Sequence, residues 1–345
     1  GGRAGGLPSA VTRPLRLDRL VAREIRVPLR RPFEIASGAT DERRVLLLEL
    51  VPPEGPRVWS ECVAGEAPDY SEETVDTARL ALRRWLAPRL LGRDLSHPAE
   101  ASDLLSRGVR GHRMAKAALE MGMWALRAAL TGRTLGDVLG GVRDRIPTGV
   151  TLGLASSVPE LVEEAREALE AGYRKVKVKI APGRDEGRLR PLREDLGRDA
   201  PLAADANGSY RRGRTDLLPP VDELGLQALE QPFEPGDLVG HAWLQARIRT
   251  PVALDESVTG FARAEEMLWL ESGRALNLKP GRVGGFAPSL AVHALCRWQA
   301  RPRLQRIRYV QIPGKPGQSV AVSVDPGSPS SFWQLKLTDF AQWQK

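Results

Sequence analysis

Five residues able to do chemistry recur at nearly constant spacing: Lys179, Asp205, Glu230, Asp255 and Lys279 lie 26, 25, 25 and 24 positions apart. Each closes or follows a short apolar run, reading Val-Lys-Val-Lys, Leu-Ala-Ala-Asp, Gln-Ala-Leu-Glu, Val-Ala-Leu-Asp and Leu-Asn-Leu-Lys. Carboxylates are hard oxygen donors suited to a divalent cation such as Mg²⁺, which keeps positions open for water and an anionic substrate. Lysines carry protons when nearby charge lowers their pKa toward neutrality. Three acids flanked by two lysines therefore suggest a metal site, Asp205, Glu230 and Asp255, between two proton carriers. The matching chemistry is proton abstraction α to a carboxylate, with a cation on that carboxylate stabilising the enediolate.

A period of about 25 residues is that of a strand plus its crossover helix. In a parallel β/α barrel the strand ends point to one mouth, so charges at successive ends converge. An acid at a strand end can instead simply cap the next helix, but three in successive units argue for a shared site. Lys175, Lys177 and Lys179 alternate with Val, which puts all three on one face of a strand. Inward lysines are costly unless paired or used in chemistry. Lys179, nearest the C-terminal strand end, takes the catalytic role and Lys177 a supporting one.

Ahead of the repeat, residues 17–65 alternate apolar and polar positions, notably Arg43-Arg-Val-Leu-Leu-Leu-Glu-Leu50 and Val58-Trp-Ser-Glu-Cys-Val63, and predict a small antiparallel sheet. Residues 71–140 turn helical. Ser71-Glu-Glu-Thr offers a helix start, and a strongly apolar run over 114–130 predicts a buried helix. An α+β cap over 17–140 is expected to precede a barrel over 141–297, with residues 1–16 a disordered N-terminal extension. Trp59 and Trp124 are expected in the core.

Composition narrows the class. The 345 residues are 42% hydrophobic, enough for a sizeable core. Cys62 and Cys296 form neither a disulfide framework nor a zinc spacing. The start lacks the apolar core of a signal peptide and no run approaches a membrane span, so a cytoplasmic protein without a membrane partner is expected. The net charge of +8 is uneven: residues 298–345 hold seven Lys/Arg against two acids, leaving +3 for the first 297. With no recognised reading module beside that charge, no nucleic-acid partner is expected.

These residues resemble the enolase superfamily, in its muconate-lactonizing-enzyme-like subgroup, and most closely the o-succinylbenzoate synthase / N-acylamino-acid racemase family. The likeness runs from about Leu17 to Cys296. It is carried by Gly111-His-Arg-Met-Ala-Lys-Ala-Ala-Leu-Glu-Met121, Lys175-Val-Lys-Val-Lys-Ile-Ala-Pro-Gly183, Asp205-Ala-Asn207, Glu230-Gln-Pro232, Leu254-Asp-Glu-Ser257 and Asn277-Leu-Lys-Pro-Gly-Arg-Val-Gly-Gly285. The resemblance implies an enolase-like (β/α)7β barrel with an N-terminal α+β capping domain. It implies Mg²⁺, with Mn²⁺ as the alternative ion, on Asp205, Glu230 and Asp255, and Lys179 and Lys279 as the acid/base pair. Asn207 and Glu256 would be supporting polar residues, and a cap loop near 33–40, with Ser37 and Gly38, would close over the barrel mouth. A small-molecule carboxylate substrate and a homo-oligomer are expected. For 111–121 helix packing is the larger part of the explanation.

The likeness stops after the helix over 288–297. Residues 298–345 hold seven of the chain's ten glutamines, the strand-helix rhythm ends, and no final barrel strands are legible. The barrel is therefore expected to be incomplete at its C-terminal end, and an open barrel exposes strand edges. The expected function is o-succinylbenzoate synthase of menaquinone biosynthesis, a Mg²⁺-dependent dehydration, with activity reduced or absent because of the altered C-terminus. Racemisation of N-acylamino acids, and an inactive disrupted homologue, are the alternatives.

Overall fold

A computed structural model describes residues 14–35, 38–143, 145–154, 157–212, 218–299, 310–313 and 318–322. The cap contains strands β1 (Leu15–Arg16), β2 (Arg19–Ile35), β3 (Gly38–Val51), β4 (Val58–Cys62) and β5 (Asp94–Leu95), and helices α1 (Val75–Ala81), α2 (Ala87–Leu90), α3 (Glu100–Ser106), α4 (Arg113–Thr131) and α5 (Leu135–Val138). Strands β2, β3 and β4 form an antiparallel meander, and β1 pairs with β5. Alternation turns Leu46, Leu48 and Leu50 of β3 into the cap core. Helix α4 lies so close that a Cβ on Gly122 would stand 2.6 Å from the Leu50 side chain. Two expectations shift. The folded chain takes in Leu15, which is wholly buried opposite Leu95, although it falls within the segment expected to be disordered. The first helix starts at Thr74, whose hydroxyl accepts from the Thr77 N–H, three residues beyond Ser71.

Trp59 also departs from expectation. On β4 the residues Val58, Ser60 and Cys62 face inward, so Trp59 faces out, 37% exposed, with the Arg23 guanidinium over its ring. Trp124 is buried as expected.

The second unit runs through β6 (Gly149–Leu152), α6 (Val158–Glu170), β7 (Val176–Lys179), α7 (Glu186–Leu196), β8 (Leu202–Asp205), α8 (Leu218–Asp222), β9 (Leu229–Glu230), α9 (Leu238–Gln245), β10 (Val252–Leu254), α10 (Phe261–Leu270), β11 (Ala275–Leu276), α11 (Pro280–Val283) and α12 (Phe286–Gln299). Strands β6 to β11 are parallel neighbours in chain order. Val176, Val178 and Ile180 turn outward into the core beneath the helices, which leaves the intervening lysines to the barrel interior. There Ala203, Ala228, Ala253 and Ala275 form a tier of their own. Each lies two positions before Asp205, Glu230, Asp255 or Asn277, so these small side chains leave room beneath the polar tier for the long stems of Lys175 and Lys177, both buried.

Strands β12 (Val310–Pro313) and β13 (Gln318–Val322) form a hairpin, and β13 pairs antiparallel with β6, Gln318 opposite Val150. The sheet order is β11-β10-β9-β8-β7-β6-β13-β12, and among the described residues β11 and β12 share no ladder. The sheet thus has six parallel strands and an antiparallel hairpin where a complete barrel has two more parallel strands, in keeping with the expected incomplete end.

Candidate active site

Strand register assembles the polar tier. Lys179 pairs with Asp205 and Asp205 with Glu230, so their side chains leave adjacent strands at one level. The Lys177 ammonium lies 2.8 Å from Asp205 Oδ2 and 2.8 Å from Glu230 Oε1. Lys179 lies 2.8 Å from the same Asp205 oxygen and donates to Asn207 Oδ1 at 2.5 Å. Asn207, with φ +44°, adopts the left-handed region that Asn tolerates, and its Nδ2 donates to Glu256 Oε1 at 3.0 Å. Asn277 Nδ2 donates to Glu230 Oε1 at 2.8 Å.

The opposite end is built differently. Lys279 Nζ lies 2.8 Å from Asp255 Oδ2 and donates at 2.7 Å to the hydroxyl of Tyr70, a cap residue. Arg282 holds the other Asp255 oxygen at 2.6 Å and also donates to the Tyr70 hydroxyl at 3.1 Å. Gln231 fastens the strand ends together. Its Oε1 accepts from the N–H groups of Asp255 and Ser257, and its Nε2 donates to Phe233 O and Ser257 Oγ. His241 supports the same loop: Nε2 accepts from Phe233 N–H, and Nδ1 is 2.6 Å from Asp237 O.

Charge is sorted by these contacts. Burial alone would raise the Asp205 carboxyl, but the Lys177 and Lys179 ammoniums hold it well below the usual range. Glu230 is raised, by burial and then by Asp205. Asp255 is lowered because Arg282 and Lys279 outweigh the burial that would raise it. Burial, followed by Asp255, pushes Glu256 up to about 7. Lys279 departs from the expected lowered lysine: burial acts to lower it, yet Asp255 and Tyr70 carry it well above its ordinary value. The reason is plain, since Lys279 neutralises the Asp255 carboxylate.

The same pairing modifies the metal expectation. Among the described residues no three acidic side chains are grouped as a ready metal shell, because Lys177 lies between Asp205 and Glu230 and Lys279 is drawn onto Asp255. The donor chemistry still fits a hard divalent cation. All three acids are buried on neighbouring strand ends, and among the described residues the buried Glu256 Oε2 beside them has no hydrogen-bond partner.

Sequence reasoning missed Tyr70, Arg282 and the fastening role of Gln231. Arg282 and Gln231 lie inside motifs quoted above, whereas no local pattern marks Tyr70. Ser37 lies outside the described residues. Gly38 opens β3 opposite Ile35, and the same hairpin meets the barrel where Glu34 O accepts from Leu154 N–H at 3.0 Å and the Glu34 carboxylate pairs with Arg184 at 2.9 Å.

An α+β cap over a parallel β/α sheet, with lysines and carboxylates at the strand ends, defines the class as the enolase-like capped barrels. Residues 19–140 match the mandelate racemase / muconate lactonizing enzyme N-terminal domain and residues 160–302 the enolase C-terminal domain-like family. The chain is 38% identical over 341 residues to the N-succinylamino acid racemase of Thermus thermophilus, spanning 95% of this chain and 90% of the relative. It is also 38% identical over 288 residues to the o-succinylbenzoate synthase of Geobacillus stearothermophilus, spanning 84% and 76%. A solved structure from Alicyclobacillus acidocaldarius, described as a probable mandelate racemase, superposes with a TM-score of 0.77 at 38% identity, over 86% of this chain and 76% of that one. The chain belongs to the enolase superfamily, in the o-succinylbenzoate synthase / N-acylamino-acid racemase family. Among the described residues no helix is long and apolar enough to cross a membrane.

Proposed function

We propose that this protein removes the proton α to the carboxylate of a succinyl-bearing substrate and acts as an o-succinylbenzoate synthase. The observation that carries the reading is the pair of lysine ends, Lys179 on Asp205 and Lys279 on Asp255, at β7 and after β11 with the acidic strand ends between them. Asp205, Glu230 and Asp255 would hold Mg²⁺, which when bound supplies positive charge to offset the negative charge developing on the substrate carboxylate. A cation held on Asp255 would weaken the largest attraction that keeps Lys279 charged, and so would favour a lysine able to accept a proton. Lys179 would take the α-proton and, once protonated, assist departure of hydroxide, while Lys279 faces the other side of the substrate. Asn207 orients Lys179.

Racemisation of an N-succinylamino acid is the second reading. It is favoured by the separate network of Tyr70, Asp255 and Arg282 around Lys279, which a one-base dehydration does not require. We further propose a small-molecule carboxylate substrate, a homo-oligomer and a cytoplasmic site of action. The antiparallel hairpin in place of the last parallel strands supports turnover below the ~10 per second common among enzymes. The test is incubation with 2-succinyl-6-hydroxy-2,4-cyclohexadiene-1-carboxylate, followed in the ultraviolet with Mg²⁺ and with excess chelator. Chelator-sensitive aromatisation supports the synthase. No aromatisation, together with racemisation of N-succinylamino acids, replaces it with the racemase.

A further inference from the structure

Glu120 of α4 is wholly buried, yet its carboxylate leaves the cap and enters the joint with the barrel. Oε2 accepts from the backbone N–H of Phe286 at 2.7 Å, and Oε1 from Ala287 N–H at 2.9 Å and Trp124 Nε1–H at 2.7 Å. Phe286 opens α12, so a cap carboxylate takes the first two N–H groups of a barrel helix, where the helix dipole favours negative charge. The backbone is shaped around it. A Cβ on Gly285, at φ +125°, would stand 2.2 Å from Glu120 Oε2, and Trp124 and Phe286 pack together beside it. Burial, opposed by the three N–H donors, pushes the carboxyl up to about 7, so it is held in place by geometry rather than by an opposite charge.

The joint leads directly to the site. Lys279 is the N-cap residue of α11, its carbonyl accepts from Arg282 and Val283 N–H, and the Pro280 carbonyl accepts from Gly284 and Gly285 N–H. Lys279 to Phe286 is therefore one hydrogen-bonded unit with its far end tied to Glu120. The near side is pressed on the cap as well, since a Cβ on Gly281 would stand 2.3 Å from Val63 Cγ2. Among the described residues Lys179 has no such dependence, because it extends from β7 and its carboxylate and amide partners are barrel residues.

We propose that Glu120 is a positioning residue for Lys279: by fixing the α11–α12 joint it aims one of the two lysines, and leaves the other untouched. The contacts of the joint carry this assignment, and only its activity readout rests on the proton-abstraction reading above. The experiment uses Glu120→Gln, and Gly285→Ala, which keeps the carboxylate but displaces it, with circular dichroism verifying the fold of each. Exchange of the α-proton of each enantiomer of an N-succinylamino acid is followed in D₂O with Mg²⁺, and Lys179→Ala and Lys279→Ala assign each enantiomer to its lysine. Misplacement of about 1 Å should slow Lys279-dependent exchange on the order of 10- to 100-fold and leave Lys179-dependent exchange within about threefold. In parallel, acetic anhydride labelling read by peptide mass spectrometry should show Lys279 released from its contacts and labelled faster relative to Lys179 in both variants. Equal slowing of both exchanges, or an unchanged labelling ratio, overturns the assignment. Absence of exchange in the parent protein instead counts against the racemase reading, and the labelling ratio then decides the role of Glu120 by itself.

Discussion

The two lysine ends of this site are alike in chemistry and unlike in construction. The Lys179 end is built within the barrel: β7 carries the lysine, β8 carries Asp205, and Asn207 follows two residues later. The Lys279 end joins two units of the fold, with Tyr70 and Glu120 from the cap and Asp255 and Arg282 from the barrel. One end is fixed by strand register, and the other also needs the cap seated on the barrel. Changes at the joint should accordingly reach Lys279 before Lys179.

The largest effect should come from removing a proton carrier. Lys179→Ala is expected to lower turnover about 10²- to 10⁴-fold while Mg²⁺ still raises the melting temperature; full activity would remove Lys179 from its role. Tyr70→Phe tests the asymmetry more finely. It deletes the hydroxyl to which both Lys279 and Arg282 donate, and should slow Lys279-dependent α-proton exchange about tenfold, on the order of the loss of the Lys279 ammonium's own hydrogen bond to it. An equal slowing of exchange at Lys179 would break the comparison.

Two smaller effects concern the frame. Gln231→Leu leaves the Asp255 and Ser257 N–H groups without their acceptor, and urea unfolding should show a loss on the order of 2–4 kcal/mol. The smallest effect is a pH dependence confined to the barrel. Burial pushes His241 down to about 4, below the ~6.5 of an unfolded chain. The unfolded state thus binds more protons between these values, so the contribution is fully present above pH 6.5 and is lost as pH falls toward 4, about 2 kcal/mol of it by pH 5. His241→Gln should remove that slope. The opposing slope from Glu120, whose carboxyl is pushed up to about 7, is common to both proteins and cancels in the comparison.

The same division explains what the sequence made legible. Lys179, Asp205, Glu230, Asp255 and Lys279 could be read because strand periodicity and the βα repeat are local and place each at a strand end. Tyr70 could not, since it meets Lys279 across 209 positions and lies in a loop with no periodic signal. Glu120 was hidden for a different reason. It sits in a helix whose apolar pattern accounts for its neighbours, while its partners are backbone N–H groups of another unit. Burial of Leu15 and exposure of Trp59 likewise depend on which strand faces which layer, a matter of pairing rather than composition.

The most direct test of the account is proton exchange itself. Each enantiomer of an N-succinylamino acid, incubated in D₂O with the Mg²⁺-loaded protein and followed by proton NMR, should lose its α-proton signal. Excess chelator should stop the loss, and Lys179→Ala should abolish it for one enantiomer. A cooperatively folded, Mg²⁺-stabilised protein that leaves both α-protons in place and also fails to aromatise the cyclohexadiene carboxylate, or exchange that survives in Lys179→Ala/Lys279→Ala, would contradict the two-lysine mechanism.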